Sequence, residues 1–404
     1  MFTSLLYHSF GLVGYQHINT EYQQGKIFIY IRKNPGKLRC PECDSHLVTL
    51  RGAKSREFKS IPIGSKKIIL VVQIQRVACK KCGCIRQIKL GFADPKKTYT
   101  KALARYVLEL SRHMTIKDVA QHLQISWDMV KDIQKKDLLK HFTKPRLKDL
   151  KKIAIDEISI GKRHNYLTIV LDLSTGVVVY IGDGKGADSL EAFWRKLKAA
   201  HAAVEAVAID MSPAFIQAVS SNLTKAAIVF DHFHIIKLFN DKLSKLRRLV
   251  YNETTDVLQC EALKGLRWIL LKNPENLNEK RNEKERLEKA LKTNQPLATA
   301  YYLKEELRQL WRQENKEKAR EFMNDWINRA GASGVNILQK FANTLRAHRS
   351  GILAYYDHPI STGPLEGTNN KIKTMQRQAY GFRDKEFFKL KILALHRTKY
   401  ALVG

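Results

Sequence analysis

Two short apolar segments, each ending in an aspartate, constrain the fold more than any other feature of the sequence. Ile153-Ala-Ile-Asp156 is echoed by Val207-Ala-Ile-Asp210, and both are typical of buried strands. Further strand-like segments lie at 166–172, 176–181 and 226–230, with amphipathic helical segments before and after the second aspartate. The order is therefore three strands, a helix, a strand, a helix and a strand. It predicts an α/β fold with a mixed five-stranded sheet of the ribonuclease-H type.

The two aspartates predict a cation site if their strands are neighbours. In that arrangement Asp156 and Asp210 lie at one edge of the sheet. Two buried carboxylates in proximity repel each other, so a cation between them is physically expected. Either aspartate alone could simply end a strand or cap a helix. The pair, in this strand order, favours a functional site.

A third acid comes from the C-terminal part of the chain. Ser361-Thr-Gly-Pro364 predicts the start of a helix, because proline suits the first helical turn. Glu366 would project from that turn, although it could also merely complement the helix dipole. Three residues at three- and four-residue steps along the same helix are suited to phosphate contact: Asn370, Lys373 and Arg377.

Two CxxC pairs predict a structural zinc site. Cys40-Pro-Glu-Cys43 and Cys79-Lys-Lys-Cys82 supply four thiolates, which close a tetrahedral site and leave no open position for a substrate. Strand-like segments lie at 26–32 and 66–77, and a β-hairpin would fill the 35-residue gap between the pairs. Cys84 and His46 are less favoured substitute ligands. Six cysteines in 404 residues indicate a reducing compartment and a metal rather than a disulfide framework.

Residues 101–140 show helical periodicity in three pieces. Thr115 and Ser126 are predicted to cap the second and third helices. Two short helices joined by a tight turn are typical of DNA readers, in which the second helix enters the major groove. Three helices forming only a small core are the alternative. The exposed face of the last helix is predicted to contact DNA through Trp127, Lys131, Gln134 and Lys135.

The net charge favours a polyanionic partner. The chain holds 71 Lys and Arg against 39 Asp and Glu, a formal charge of +32. Basic residues gain affinity for nucleic acid by releasing its condensed counterions. No apolar segment approaches the roughly 20 residues that span a bilayer, so no membrane role is expected. We predict a cytoplasmic, nucleoid-associated protein.

A long segment between the second aspartate and the glutamate predicts a helical insertion. Residues 236–345 are rich in Leu, Lys, Glu, Arg and Ala at helical spacing. Its three tryptophans, Trp268, Trp311 and Trp326, are predicted to be core residues, and an aromatic wedge stacking on a flipped base is the alternative. The expected domains are a zinc module (1–95), a helix-turn-helix domain (96–150), a catalytic core (151–235 and 346–404) and the insertion (236–345).

These features together resemble the ISL-three family of bacterial insertion-sequence DDE transposases. The resemblance rests on the paired CxxC module, the helix-turn-helix, Asp231-His-Phe-His234 after the fifth strand, and the block from Ser361 to Phe382. It implies a ribonuclease-H-like core in which Asp156, Asp210 and Glu366 form a triad that binds magnesium or manganese. It also marks Asp231 and His234 as a supporting or purely structural pair.

The resemblance also implies a function. It predicts an enzyme that binds double-stranded DNA at terminal inverted repeats and at a target, and that catalyses metal-dependent cleavage and strand transfer. A homodimer or larger assembly would hold two ends together. One alternative is a non-catalytic zinc and helix-turn-helix DNA-binding regulator. The other is a nuclease without strand transfer, which needs the same metal site.

Overall fold

The chain divides into two compact units. The computed structural model describes residues 5–161 and 165–398. The first unit joins Met1–Thr143 to Met375–Gly404, and the second comprises Lys144–Thr374. Each unit is described by itself below.

The first unit begins with a short helix, α1 (Leu5–Phe10), and a mixed five-stranded sheet. The strands are β1 (Tyr15–Gln23), β2 (Lys26–Lys33), β3 (Val48–Ile63), β4 (Lys66–Cys79) and β5 (Ile85–Gln87). Strand β4 is central and largely buried, pairing in parallel with β2 and antiparallel with β3 and β5. The predicted strands at 26–32 and 66–77, and the hairpin between the CxxC pairs, are confirmed.

Three helices follow the sheet: α2 (Lys101–Leu110), α3 (Ile116–His122) and α4 (Trp127–Phe142). Each begins at a hydroxyl residue whose oxygen accepts a backbone N–H of the first turn. The caps predicted at Thr115 and Ser126 are confirmed, and Thr100 caps α2 in the same way. Their shared core is made by Leu103, Val107, Val119, Val130 and Ile133.

The second unit contains the other mixed sheet. Its strands are β6 (Lys152–Gly161), β7 (Asn165–Asp172), β8 (Val177–Asp183), β9 (Ala206–Ile209) and β10 (Ala227–Phe230), in the order β10-β9-β6-β7-β8. Strand β6 pairs antiparallel with β7 and parallel with β9. Helices α5 (Glu191–Ala199) and α6 (Pro213–Asn222) bury Phe193 and Phe215 in the same core as the strands. The prediction of a mixed α/β fold is confirmed.

The segment after β10 is helical. It contains α7 (His232–Glu253), α8 (Val257–Leu263), α9 (Arg267–Leu271), α10 (Glu283–Thr293), α11 (Gln295–Leu307), α12 (Lys316–Ala332), α13 (Asn336–Ala347) and α14 (Arg349–Leu353). Trp326 is fully buried, with ring centroids 5.9 Å from Phe239 and 5.8 Å from Phe341. Glycine is required at position 351 because a Cβ there would lie 2.4 Å from the Phe230 ring.

The core prediction is wrong for Trp268. Its side chain is 65% exposed, whereas Trp326 is buried and Trp311 is half-buried. Helix α9 is only five residues long. It buries Ile269 and Leu270, while Trp268, which precedes them within the helix, faces solvent.

Two helices complete the chain: α15 (Gly363–Gln378) and α16 (Lys385–Ala394). Within the first unit, α16 packs on α4 through Leu138, Phe387, Leu390 and Ala394. The segment 346–404, which we assigned to the catalytic core, is therefore shared between the two units. No helix among the described residues is long and apolar enough to cross a membrane.

Candidate functional site

The sheet of the second unit brings two aspartates to one edge. Strands β6 and β9 run in parallel, and the last pair in their register joins Ala154 to Ala208. Asp156 and Asp210 each lie two residues beyond this pair. The condition on which the predicted cation site depends, that the two strands are neighbours, is met.

Asp156 is held by two hydrogen bonds. Its Oδ1 accepts the backbone N–H of Glu157 over 2.8 Å, and its Oδ2 accepts Nδ2 of Asn369 over 3.0 Å. Burial raises the pKa of Asp156, the positive charge of His234 opposes that rise, and the negative charge of Asp210 adds to it. The carboxylates and the histidine therefore lie within electrostatic reach of one another.

A further acid belongs to the same edge. Glu157 accepts the backbone N–H of Gly186 at Oε1 over 3.1 Å. Burial raises its pKa, and the charges of Asp210 and Asp156 raise it further. Sequence reasoning missed Glu157, and its position next to Asp156 was the available signal. Asp210 accepts the backbone N–H of Ser212 at Oδ1 over 3.0 Å.

Buried Asp231 and half-buried His234 form a pair at the start of α7. Asp231 is 2% exposed, and its Oδ2 accepts Nδ1–H of His234 over 3.1 Å. Its Oδ1 accepts the backbone N–H of Thr362 over 3.3 Å. Burial alone would raise the pKa of Asp231, but the hydrogen bond from His234 and the nearby imidazole charges lower it. The same hydrogen bond raises the pKa of His234.

Glu366 lies in the first turn of α15, as predicted, and its side chain is exposed. This part of α15 is tethered to the sheet region at two points, the Thr362–Asp231 and Asn369–Asp156 hydrogen bonds. Asn369 was missed by sequence reasoning because nothing in the local pattern distinguishes it from Asn370. The residues predicted for phosphate contact, Asn370, Lys373 and Arg377, are exposed.

The three acids do not form a closed cluster in this structure. Among the described ranges, the four cysteines are the one set of three or more His, Cys, Asp or Glu donor atoms that all lie within 4.8 Å of one another. The carboxylate oxygens of Asp156, Asp210 and Glu366 therefore do not all lie within 4.8 Å of one another.

The four cysteines converge as the CxxC spacing predicted. Sγ of Cys40 lies 3.6 Å from Sγ of Cys82, and Sγ of Cys43 lies 3.6 Å from Sγ of Cys79. The backbone N–H groups near Cys43 lower the pKa of Cys40 to about 6, whereas burial and the neighbouring thiols raise the pKa of Cys43. Sγ of Cys84 is 3.3 Å from that of Cys40, outside the four-cysteine set, and His46 is exposed.

The exposed face predicted for α4 is wrong at Gln134. That side chain is 1% exposed, and its Nε2 donates to Oγ of Ser111 over 2.9 Å. Gln134 therefore stabilises the packing of α2 against α4 and is not available to a DNA base.

The other three predicted residues of α4 differ in their surroundings. Trp127 is 57% exposed. Lys131 and Lys135 are half-buried and form ion pairs with Oδ2 of Asp384, over 3.0 Å and 3.2 Å. Asp384 also caps α16, accepting the backbone N–H of Phe387 over 2.9 Å.

The comparisons with known proteins cover each of these regions. The family profile described as "Transposase", the DDE domain of the ISL3 family, matches residues 153–392. The helix-turn-helix domain of transposase family ISL3 matches residues 88–137. The zinc-finger of transposase IS204/IS1001/IS1096/IS1165 matches residues 37–82. The zinc-ribbon match and the four-cysteine cluster together support structural zinc.

Relatives match over most of the chain. The transposase for insertion sequence element IS1001 of Bordetella parapertussis is 32% identical over 91% of this chain and 90% of its own length. The transposase for insertion sequence element IS1557 of Mycobacterium tuberculosis is 29% identical over 82% of this chain and 80% of its own length. The Drosophila P element transposase strand transfer complex covers 74% of this chain and 93% of its own, at 12% identity and a TM-score of 0.33, too low to bear on the fold.

The three profile matches lie in the same order as the cysteine cluster, the three-helix segment and the sheet that carries the aspartates. The chain therefore belongs to the ISL3 family of insertion-sequence transposases, enzymes that act on DNA and bind it with a helix-turn-helix domain.

Proposed function

We propose that Asp156, Asp210 and Glu366 are the DDE triad of this transposase, on a ribonuclease-H-like core. One observation carries the proposal. Asp156 and Asp210 occupy equivalent positions on adjacent parallel strands, and Asn369, one helical turn after Glu366, donates a hydrogen bond to Asp156. Residues three apart on a helix are neighbours, so the helix that carries the glutamate also faces the aspartates.

The chemistry of these donors fits magnesium, with manganese as a substitute. All the donors are oxygens, which both cations prefer. Oδ1 of Asn369 is buried and has no hydrogen-bond partner within the described residues. Burial favours the neutral form of Asp156, and a cation would restore its carboxylate. The site thus has both an acid that needs a countercharge and an oxygen that needs a partner.

The reaction is phosphoryl transfer on DNA. Asp156, Asp210 and Glu366 would hold a divalent cation, which would help to activate the attacking oxygen and stabilise the leaving oxygen. At an end of the element, the oxygen of water forms a new P–O bond while the P–O3′ bond breaks, which leaves a 3′-hydroxyl and a 5′-phosphate. That 3′-hydroxyl forms a P–O bond with a target phosphodiester while the target P–O3′ bond breaks, so the strands are joined and a target 3′-hydroxyl leaves. The backbone N–H groups of Glu157 and Ser212 orient the two aspartates for both steps.

The N-terminal modules supply DNA binding. We assign terminal inverted repeats to the zinc ribbon and the helix-turn-helix domain, and target duplex to the exposed residues Asn370, Lys373 and Arg377 of α15. A homodimer or larger assembly on DNA would hold two ends together. Asp231 and His234 support the site by fixing the start of α15 through Thr362. The setting is cytoplasmic, at the nucleoid.

Cleavage of a labelled duplex that carries the ends of the element tests the proposal. With magnesium, we expect Asp156→Asn to lose at least about 1000-fold in cleavage rate, because a cation at the transferred phosphoryl group contributes several kcal/mol. DNA affinity should stay unchanged. Glu191→Gln, an exposed acid on α5, is the matched control and should cleave normally.

The two alternative functions, a regulator and a nuclease, predict other results. Full cleavage by Asp156→Asn would overturn the assignment of the triad. A wild-type chain that binds the ends without metal-dependent cleavage would be a regulator. Cleavage without any joined product on supercoiled target DNA would indicate a nuclease.

A further inference from the structure

A corner of the helical insertion concentrates positive charge around an exposed tryptophan. It is formed by the C-terminal half of α7, the connection from α8 to α9, and α10. We call it the basic corner and define it by Arg247, Arg248, Lys264, Arg267, Trp268 and Arg286.

Backbone contacts hold the basic corner together. Nη1 of Arg247 donates to the carbonyl of Leu263 over 3.4 Å, and Nη2 of Arg286 donates to the carbonyl of Lys264 over 3.4 Å. A Cβ at Gly265 would lie 3.0 Å from Nη2 of Arg286, so the connection runs close beneath that guanidinium. The α8–α9 connection is thus fixed between α7 and α10.

The cations of the basic corner differ from other cations of the insertion in their partners. Within the described residues, none of its five cations forms an ion pair with a carboxylate. Elsewhere in the insertion, by contrast, Lys272 pairs with Glu283 and Arg308 with Glu275. Burial lowers the pKa of Arg247, and the charges of Arg248 and Arg267 lower it further. Like charges held together in this way favour an anionic ligand.

Trp268 adds an aromatic surface to this charge. Its side chain is 65% exposed, and the guanidinium of Arg267 lies 4.7 Å from its ring centroid. Proteins that bind single-stranded nucleic acid combine cations that follow the phosphates with aromatic rings on which bases stack. A site for duplex DNA alone would not need the ring, because paired bases are already stacked.

We propose that the basic corner binds a DNA strand with unpaired nucleotides. A base stacks on Trp268, and the neighbouring phosphates contact Arg248, Lys264 and Arg267. This site is distinct from the helix-turn-helix domain. It is also distinct from the acidic edge of the sheet, by which we mean Asp156, Glu157 and Asp210. It does not depend on the assignment of the DDE triad.

Fluorescence anisotropy with a labelled oligothymidylate tests the proposal. The full-length protein is used without magnesium, and excess unlabelled duplex occupies the helix-turn-helix domain. We expect Trp268→Ala to weaken binding about 10-fold, and Trp268→Phe to retain most of the affinity because it can still stack. Arg248→Ala should reduce the slope of log K against log salt by about 0.7, the value for one phosphate contact on a single strand.

Two matched controls lie outside the basic corner. Tyr302→Ala removes an aromatic ring that is 58% exposed on α11, and Lys340→Ala removes an exposed cation on α13. Both should bind the oligothymidylate like the wild type. Circular dichroism and the Tm check that every variant is folded.

Two results would overturn the inference. One is an unchanged affinity for the oligothymidylate in both Trp268→Ala and Arg248→Ala. The other is a loss confined to duplex probes, or a loss as large in Tyr302→Ala and Lys340→Ala. Neither result bears on Asp156, since the assay requires no cleavage, so failure here is distinguishable from failure of the DDE triad.

Discussion

At the scale of single residues, Asn369 connects α15 to the acidic edge of the sheet. Its Nδ2 donates to Asp156 over 3.0 Å. Removal of a group that orients a metal ligand commonly costs 10- to 100-fold in activity, so we expect Asn369→Ala to lower the cleavage rate by about that factor. DNA affinity, measured by gel shift, should not change.

The neighbouring asparagine provides the contrast. Asn370 is exposed and is proposed to contact phosphate. Asn370→Ala should weaken DNA binding and leave the cleavage rate at saturating protein unchanged. If Asn369→Ala and Asn370→Ala change the cleavage rate and the DNA affinity alike, Asn369 does not act by orienting Asp156.

The Asp231–His234 pair predicts a dependence of stability on pH. Asp231 raises the pKa of His234, so this contribution is complete below about 6.5, the unfolded value, and is lost as pH rises through the folded pKa. His234 lowers the pKa of Asp231, so that contribution exists above about 3.9 and is lost as pH falls through the folded pKa. The pair therefore stabilises most between about pH 4 and 6.5.

Thermal denaturation across pH checks this window. Asp156 and Asp210 also raise the pKa of His234, and Nδ1 of His232 lies 3.8 Å from Oδ1 of Asp231, whose pKa it lowers. The Tm difference between wild type and Asp231→Asn should be largest inside the window and smaller on both sides. A difference that is constant from pH 4 to 9 would show that the pair is not ionised as described.

At the scale of elements, the contact between α4 and α16 controls two predicted DNA contacts. Asp384 pairs with Lys131 and Lys135, and its pKa is lowered to about 2, because the backbone N–H of Phe387 and the two ammonium groups outweigh its burial. Asp384→Asn keeps a cap for α16 and releases Lys131, whereas Lys135 still pairs with Oε2 of Glu386 over 2.6 Å. We expect tighter DNA binding and a salt slope steeper by about 1.

Salt-dependent anisotropy with duplex DNA measures this effect. Glu109→Gln, which removes an acid on α2 that pairs with Arg112, is the charge-matched control. An identical change in both variants would mean that only net charge had acted. No change in Asp384→Asn would mean that Lys131 does not contact DNA.

The sequence predicts the elements better than their buried faces. The succession of strands along the chain and the helix starts follow from local patterns, whereas the pairing of β6 with β9 is a long-range contact that local patterns do not determine. The burial of Gln134 and the pairing of Lys135 with Asp384 depend on helix packing, the latter across 249 positions of the sequence. No local pattern encodes such contacts, so α4 was assigned too open a face.

The same reason applies to the acidic edge. The place of Glu366 in a first helical turn could be predicted from Pro364, whereas Asn369 acquires its role only from a contact with a distant segment. Trp268 was assigned to the core because apolar spacing does not reveal how short α9 is.

At the scale of the whole molecule, the zinc ribbon is an independent folding requirement. Structural zinc contributes folding free energy directly. Cys79→Ser should therefore lose the metal and destabilise the sheet in which β4 is the central strand. Elemental analysis should find about one zinc per wild-type chain. Cys84→Ser and Cys260→Ser should retain it. Zinc loss in Cys84→Ser would revise the ligand set, and a folded wild type without zinc would remove the site.

In the proposed mechanism, acids from the sheet and from α15 share one cation site. Titration with manganese, followed by its electron paramagnetic resonance signal in the presence of DNA ends, tests this most directly. We predict that Asp156→Asn, Asp210→Asn and Glu366→Gln each weaken manganese binding by at least about 10-fold, while Glu191→Gln does not. Wild-type manganese affinity in Glu366→Gln, alongside a loss in both aspartate variants, would contradict the account.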